Sequence, residues 1–88
     1  MRIILDGKRL RSVAEVYEAL APALAYPPHF GGNPDALWDV LSEHGPSDIE
    51  IVWRHADHSA VELGADYPRL VAVLKAAADA GFLSFELA

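Results

Sequence analysis

The chain has 88 residues, of which 52% are hydrophobic and 23% are charged, so we predict a single folded domain over residues 1–88 and exclude a disordered protein. Its 13 acidic and 7 basic residues give a formal net charge of −6, which favours a basic partner. Beyond position 11 the basic residues are only Arg54, Arg69 and Lys75, which argues against a nucleic-acid-binding protein. The sequence contains no cysteine, which excludes disulfide bonds and thiolate metal sites and is typical of a reducing compartment.

The N-terminal segment predicts a strand followed by a helix. Ile3–Leu5 is a wholly apolar run that ends at the turn-forming pair Asp6–Gly7. Because this run is too short for a signal peptide or a membrane span, we predict a cytoplasmic protein without a membrane partner. Ser12 and Glu15 have the spacing of a capping box, and apolar residues recur at helical spacing through residues 13–24.

The middle of the chain predicts a loop and a second helix. Residues 25–32 are rich in proline and glycine, which indicates a loop. Asn33 is a favourable N-cap, and Pro34 suits the first position of a helix. We predict that this helix extends from Pro34 to about His44 and stops at Gly45–Pro46.

The second half of the chain predicts a strand, two helices and a last strand. Residues 49–53 alternate as a strand does, and a short helix over residues 57–63 ends at Gly64 in the left-handed conformation. Asp66 can cap a longer helix that closes at Gly81, and residues 83–87 alternate as the last strand.

The predicted order β-α-α-β-α-α-β indicates the α/β class, with four helices and a three-stranded parallel sheet. Helical connections of this length suit right-handed parallel crossovers. The first strand is apolar on both faces, whereas the other two alternate. We therefore predict that the first strand is central and that the strand order is 2-1-3.

The second helix has one acidic face. At 100° per residue its apolar residues lie on one arc, and the opposite arc carries Asp35, Asp39, Ser42 and Glu43, with Trp38 at the border. A solvated face of an ordinary surface helix is one interpretation. However, neither this helix nor the loop before it contains lysine or arginine, and the loop places His29 and Phe30 beside Gly31–Gly32. This arrangement favours a binding surface for a cationic site.

Other chemistry is less well supported. His55, Asp57 and His58 include good zinc ligands, but the polar segment is more simply a solvated helix start. Ser59 lies next to His58, but no motif for a nucleophile elbow or oxyanion loop is present. We therefore predict no enzyme activity, no metal and no cofactor.

The segment FGGNPDALWDVL resembles the signature segment of the barstar family, the intracellular inhibitors of the bacterial ribonuclease barnase. The similarity extends over the whole chain, through the Asp6–Gly7 turn, Arg11–Ser12 before the first helix, Trp53–Arg54 at the end of the second strand, and Gly81.

This resemblance implies a barstar-like fold and a 1:1 complex with a secreted, guanyl-specific bacterial ribonuclease. The second helix and its loop would enter the basic active site, with Asp39 in the place of a substrate phosphate. Asp35 and Trp38 would flank Asp39, and Gly31 and Asn33 would contribute through the loop. The other predicted partner-binding residues are His29, Phe30, Ser42, Glu43 and His44. The alternative is a barstar-like acidic interaction or immunity module for another basic protein or toxin domain.

The sequence departs from the family pattern at several outlying contacts. His29 replaces a loop tyrosine, His44 replaces a tryptophan, and Glu43 replaces a small residue. Ala76 stands where the family carries a glutamate on the last helix. Because the paired aspartates are retained, this pattern suggests the same inhibitory mode against a different, related ribonuclease.

Overall fold

A computed structural model describes residues 1–24, 26–27, 30–44 and 47–88, and His44 is described without its side chain. The described elements follow the predicted order β-α-α-β-α-α-β. They are β1 (Arg2–Asp6), α1 (Val13–Leu20), α2 (Pro34–His44), β2 (Glu50–Arg54), α3 (Ala56–Leu63), α4 (Asp66–Asp79) and β3 (Ser84–Leu87). Within the described ranges, no helix has the length and apolar character needed to cross a membrane.

The three strands form one parallel sheet in the order β1-β2-β3, so the predicted order 2-1-3 is wrong. The central strand is β2, whose residues Ile51, Val52 and Trp53 are all buried. On the sheet face that carries Val52, this residue is 5% exposed, whereas its partner Ile4 on β1 is 43% exposed. The apolar run of β1 therefore belongs to an edge strand, and the strand with buried side chains on both faces is β2.

The helices cover one face of the sheet. Ile3, Ile51 and Trp53 on that face join the core together with buried residues of all four helices. Two right-handed crossovers that step in the same direction place their helices on the same face, which accounts for this arrangement. On the opposite face the solvent-accessible side chains of Arg2 and Glu50 form an ion pair, with 3.1 Å between Nε and Oε1.

The helix starts agree with the sequence in part. Ser12 Oγ accepts from the backbone N–H of Glu15 at 3.3 Å, and Glu15 Oε2 accepts from the N–H of Arg11 at 3.5 Å. The predicted cap Asp66 is instead the first residue of α4, and the preceding residue, Ala65, makes no capping bond through its side chain. A carboxylate in the first turn is also favourable, because it interacts well with the helix dipole. An aspartate near a helix start can therefore be either the cap or a first-turn residue, and the sequence does not tell which.

The helix ends also agree in part. α1 ends at Leu20, earlier than predicted, although Leu24 is buried in the core. Gly64 and Gly81, predicted at the ends of α3 and α4, have φ of 58° and 81°, in the region that favours glycine. The ψ of Gly64 is −130°, so the predicted left-handed helical conformation is wrong at this residue. The predicted stop at Gly45–Pro46 lies outside the described residues.

Candidate functional site

Helix α2 begins where the sequence predicts. Asn33 Oδ1 accepts from the N–H of Ala36 at 2.8 Å, and the Asn33 carbonyl accepts from the N–H of Leu37 at 3.0 Å. Pro34 occupies the first helical position, where its missing N–H has no intrahelical partner to lose. Because Asn33 fixes the first turn, it also fixes the helical positions from which the following carboxylates project.

One face of α2 packs on the core and the other is acidic. Leu37 and Leu41 are buried, whereas Asp35, Asp39 and Glu43 are exposed. The ion pairs found among the described residues join the N-terminal amine to Asp48, Arg2 to Glu50, and Arg9 to Asp6. None of them involves α2, so its three carboxylates have no neutralising partner in the described part of the chain.

The half-buried Trp38 connects α2 to the segment that follows α4. Its ring packs against Phe82 at a centroid distance of 5.8 Å and an angle of 45°. A hollow of about 410 Å³ lies beside this contact, and we call it the α2–α4 hollow. Its lining residues are Asp35, Trp38, Asp39, Ala72, Val73 and Ala76.

A second hollow, of about 280 Å³, lies between α2 and the preceding loop, and we call it the loop–α2 hollow. Its lining residues are Pro27, Phe30, Gly31, Ala36, Asp39, Val40 and Glu43. Asp39 is the one described residue that lines both hollows. Its carboxylate therefore stands on a ridge with a concavity on either side, where a partner can surround it.

The loop that precedes α2 is held by aromatic packing. Phe30 stacks on Tyr26 with 4.1 Å between ring centroids and 5° between ring planes, and it forms a T-shaped pair with Tyr17 at a centroid distance of 5.5 Å. Tyr26 Oη donates to the Tyr17 carbonyl at 2.9 Å. Burial raises the pKa of Tyr26, and the neighbouring Tyr17 raises it further. Sequence reasoning gave neither tyrosine a role at the site, although the aromatic pair Tyr26 and Phe30 within one short loop was a usable signal.

Gly31 and Gly32 serve this loop in different ways. A Cβ on Gly31 would lie 3.0 Å from Asn33 Nδ2 and would crowd the residue that caps α2. Gly32 has a φ of 64°, which side chains rarely adopt. A side chain at either position would therefore disturb the turn that leads into α2.

The structure brings most of the predicted site residues together. Phe30, Gly31, Asp39 and Glu43 share one hollow, while Asp35 and Trp38 meet Asp39 in the other. Two of the predicted residues instead bond to the backbone.

Asn33 is engaged as the helix cap, and Ser42 Oγ donates to the Asp39 carbonyl at 3.1 Å. His29 lies outside the described residues, as does the side chain of His44.

The interpretations of a metal site and a hydrolase gain no support. Ser59 is fully buried, and its Oγ accepts from Trp53 Nε1 at 2.8 Å, which makes it part of the core. The carbonyl of Gly7 lies 3.0 Å from His58 Nδ1, which must donate to it. Across the described ranges, no group of three histidine or carboxylate side chains is placed to hold a metal ion.

Two comparisons with known proteins bear on the family of this chain. The sequence profile of the family described as Barstar (barnase inhibitor) matches residues 1–84. A protein of Bacillus subtilis (strain 168) named "Putative ribonuclease inhibitor YrdF" is 30% identical over 64 residues, which cover 73% of this chain and 70% of that protein. The matched range includes β1, β2 and all four helices, and it ends at the first residue of β3. The chain belongs to the barstar family.

Proposed function

We propose that this protein inhibits a ribonuclease, and that the target is a secreted, guanyl-specific bacterial enzyme bound 1:1. Membership of the barstar family and the name of the Bacillus relative support an inhibitor rather than an enzyme. In the proposed complex, α2 and the loop before it enter the active site of the ribonuclease.

The pair of unneutralised carboxylates on α2 carries this proposal. A ribonuclease must bind the phosphodiester of its substrate, so its active site presents cationic groups. A carboxylate offers two oxygens to such groups and can accept paired hydrogen bonds from an arginine, as a phosphate does. Asp39 is exposed, lies between two hollows and has no described cation beside it, so it is the residue best placed to act as the phosphate mimic.

The other residues of the surface have supporting roles in this proposal. Asp35 and Trp38 flank Asp39 on the α4 side, where Trp38 is already fixed against Phe82. Phe30 and Glu43 flank it on the loop side, and Gly31 lets the partner approach the backbone closely.

Asn33 acts through the helix start that it fixes. His29, Ser42 and His44 are the remaining residues of the proposed contact surface.

Inhibition titrations against barnase and a panel of guanyl-specific ribonucleases test the proposal. We expect the parent to reach full inhibition at one equivalent. We expect Asp39→Ala to lose about 2–5 kcal/mol of binding free energy, the range for truncating one member of a buried charge pair, which was measured partly on the barnase–barstar complex itself. Asp79→Ala is the matched control, because it removes an exposed helical aspartate that lines neither of these hollows.

Two results would contradict the proposal. If Asp39→Ala and Asp79→Ala inhibit equally well, the acidic face of α2 is only a solvated surface and not a binding surface. Lack of inhibition across the whole panel, with capture of a different basic toxin domain by the immobilised protein, would favour the alternative of an immunity module.

A further inference from the structure

A third hollow lies on the other side of Phe30, between α1 and the loop. We call it the α1–loop hollow, and its volume is about 380 Å³. Its lining residues are Val13, Ala14, Tyr17, Glu18, Ala21, Tyr26, Phe30 and Gly32. Three aromatic rings form much of this lining, and Glu18 is its one charged residue among those described.

The walls of the α1–loop hollow are in place before any partner arrives. Phe30 is clamped between a stacked contact with Tyr26 and an edge contact with Tyr17. The hydrogen bond from Tyr26 Oη to the Tyr17 carbonyl ties the loop to α1. Binding here requires little ordering of these side chains, which lowers its entropic cost.

The α1–loop hollow is continuous with the proposed inhibitory surface. Phe30 lines both this hollow and the loop–α2 hollow, and Asp39 also lines the latter. A ribonuclease seated on Asp39 and covering Phe30 would therefore reach the hollow with residues from outside its active site.

The lining selects the chemistry of the occupant. Aromatic and aliphatic walls accommodate a long methylene chain, and the ring faces attract a cation. Glu18 is exposed and belongs to none of the described ion pairs, so its carboxylate is available to a cationic head group. A nucleotide phosphate would be repelled by Glu18, and a wholly apolar side chain would desolvate that carboxylate without pairing it.

We propose that the α1–loop hollow binds a lysine or arginine side chain of the ribonuclease, with its methylenes against the aromatic rings and its head group beside Glu18. This inference rests on the proposed function, and it adds to the surface a second cation-binding point that is separate from Asp39.

The first experiment needs no ribonuclease. Methyl resonances of Val13, Ala14 and Ala21 are followed by NMR during titration with n-butylguanidinium, n-butylammonium and neutral n-butanol. We expect saturable shifts with the two cations at millimolar concentrations, weaker shifts with n-butanol, and loss of this preference in Glu18→Gln. Equal shifts with all three probes, or shifts that Glu18→Gln leaves unchanged, would overturn the proposal.

The second experiment measures the affinity of the protein for barnase. We expect Glu18→Gln to weaken binding about three- to tenfold, as for a cation at a partly exposed aromatic and carboxylate site. Ala14→Leu should also weaken binding, because it partly fills the hollow without changing charge. Glu62→Gln is the control, since it neutralises an exposed glutamate on α3 outside all three hollows.

Asp39→Ala distinguishes this inference from the proposed function. If Asp39→Ala strongly weakens binding while Glu18→Gln and Ala14→Leu behave like Glu62→Gln, the second cation-binding point is wrong and the inhibitor function stands. If neither the parent nor any variant binds barnase or the ribonuclease panel, the proposed function fails and the assignment of a ribonuclease side chain to the hollow fails with it.

Discussion

Two small residues allow close packing where β1 and β2 meet α3. Ser59 is fully buried and accepts from the indole N–H of Trp53. A Cβ on Gly7 would clash with the carbonyl of His55 and would lie 2.6 Å from Ser59 Oγ. The sequence marks Gly7 as a turn residue, but its more demanding role is this close approach, which depends on a segment almost fifty positions away.

We expect Ser59→Ala to destabilise the protein by about 1–3 kcal/mol, because the buried indole N–H of Trp53 loses its acceptor. Urea unfolding followed by tryptophan fluorescence measures the change. Ser84→Ala, at an exposed position of β3, is the matched control and should change stability by less than about 0.5 kcal/mol. If both variants unfold at the same urea concentration, the hydrogen bond between Trp53 and Ser59 makes no net contribution to stability.

Tyr17 and Tyr26, which pack against Phe30, predict a loss of stability at alkaline pH. Burial raises the pKa of both Tyr17 and Tyr26, and the Asp66 carboxylate adds to the effect on Tyr17. The folded state therefore keeps protons that the unfolded chain releases above about pH 10. The resulting stabilisation is complete below that pH and is lost as the pH rises towards the folded-state values.

Urea titrations between about pH 8 and pH 11 test this expectation. Tyr26→Phe should reduce the slope of unfolding free energy against pH above about pH 10, because one of the groups no longer ionises. An identical slope in the parent and in Tyr26→Phe would mean that Tyr26 ionises alike in both states.

At the scale of elements, α2 was predictable and the strand order was not. Asn33 and Pro34 are local signals, and they place the start of α2 without knowledge of the rest of the fold. The second strand also contains an apolar run, Ile51–Trp53, like the run Ile3–Leu5 of the first. Interpreting the second strand as alternating overlooks Val52. Which run becomes central depends on the direction of two crossovers, and this is a long-range property.

The candidate site was likewise predictable only in part. The acidic face of α2 follows from helical periodicity, so the positions of Asp35 and Asp39 could be predicted. The hollows on either side could not, because they require the packing of α4 against Trp38 and of α1 against Phe30.

The two aspartates of α2 should contribute differently to folding. Asp35 lies in the first turn, where a negative charge favours the helix dipole by about 0.3–1 kcal/mol, whereas Asp39 lies one turn further along. The gain in helix propensity is similar for both alanine substitutions and cancels in the comparison. We therefore expect Asp39→Ala to be more stable than Asp35→Ala by about 0.3–1 kcal/mol in thermal unfolding at low salt. The reverse order would mean that Asp39 has a structural role in α2.

At the scale of the whole molecule, the formal charge of −6 is unevenly arranged. Four of the seven basic residues lie within the first eleven positions, and two of these, Arg2 and Arg9, are engaged with Glu50 and Asp6. The acidic face of α2 has no such partners among the described residues. Its field is therefore available to act on an approaching basic protein.

This arrangement predicts electrostatically steered association. Raising the salt concentration from about 50 to 500 mM shortens the Debye length roughly threefold. We expect the association rate constant with barnase, measured by stopped flow, to fall about tenfold or more over this range, while the dissociation rate constant changes much less. A flat association rate would exclude steering.

Two double variants separate the field of α2 from that of the whole protein. The first double variant combines Asp35→Asn with Glu43→Gln, both on α2. The second combines Glu62→Gln with Asp79→Asn, which lie on α3 and α4, and each double variant removes two negative charges. Because the field of a charge is screened within about 10 Å at 0.1 M salt, charges close to the docking surface should dominate the encounter. The first pair should therefore flatten the salt dependence of association much more than the second. Equal flattening by both pairs would assign the steering to net charge and remove the special role of the α2 face in the encounter.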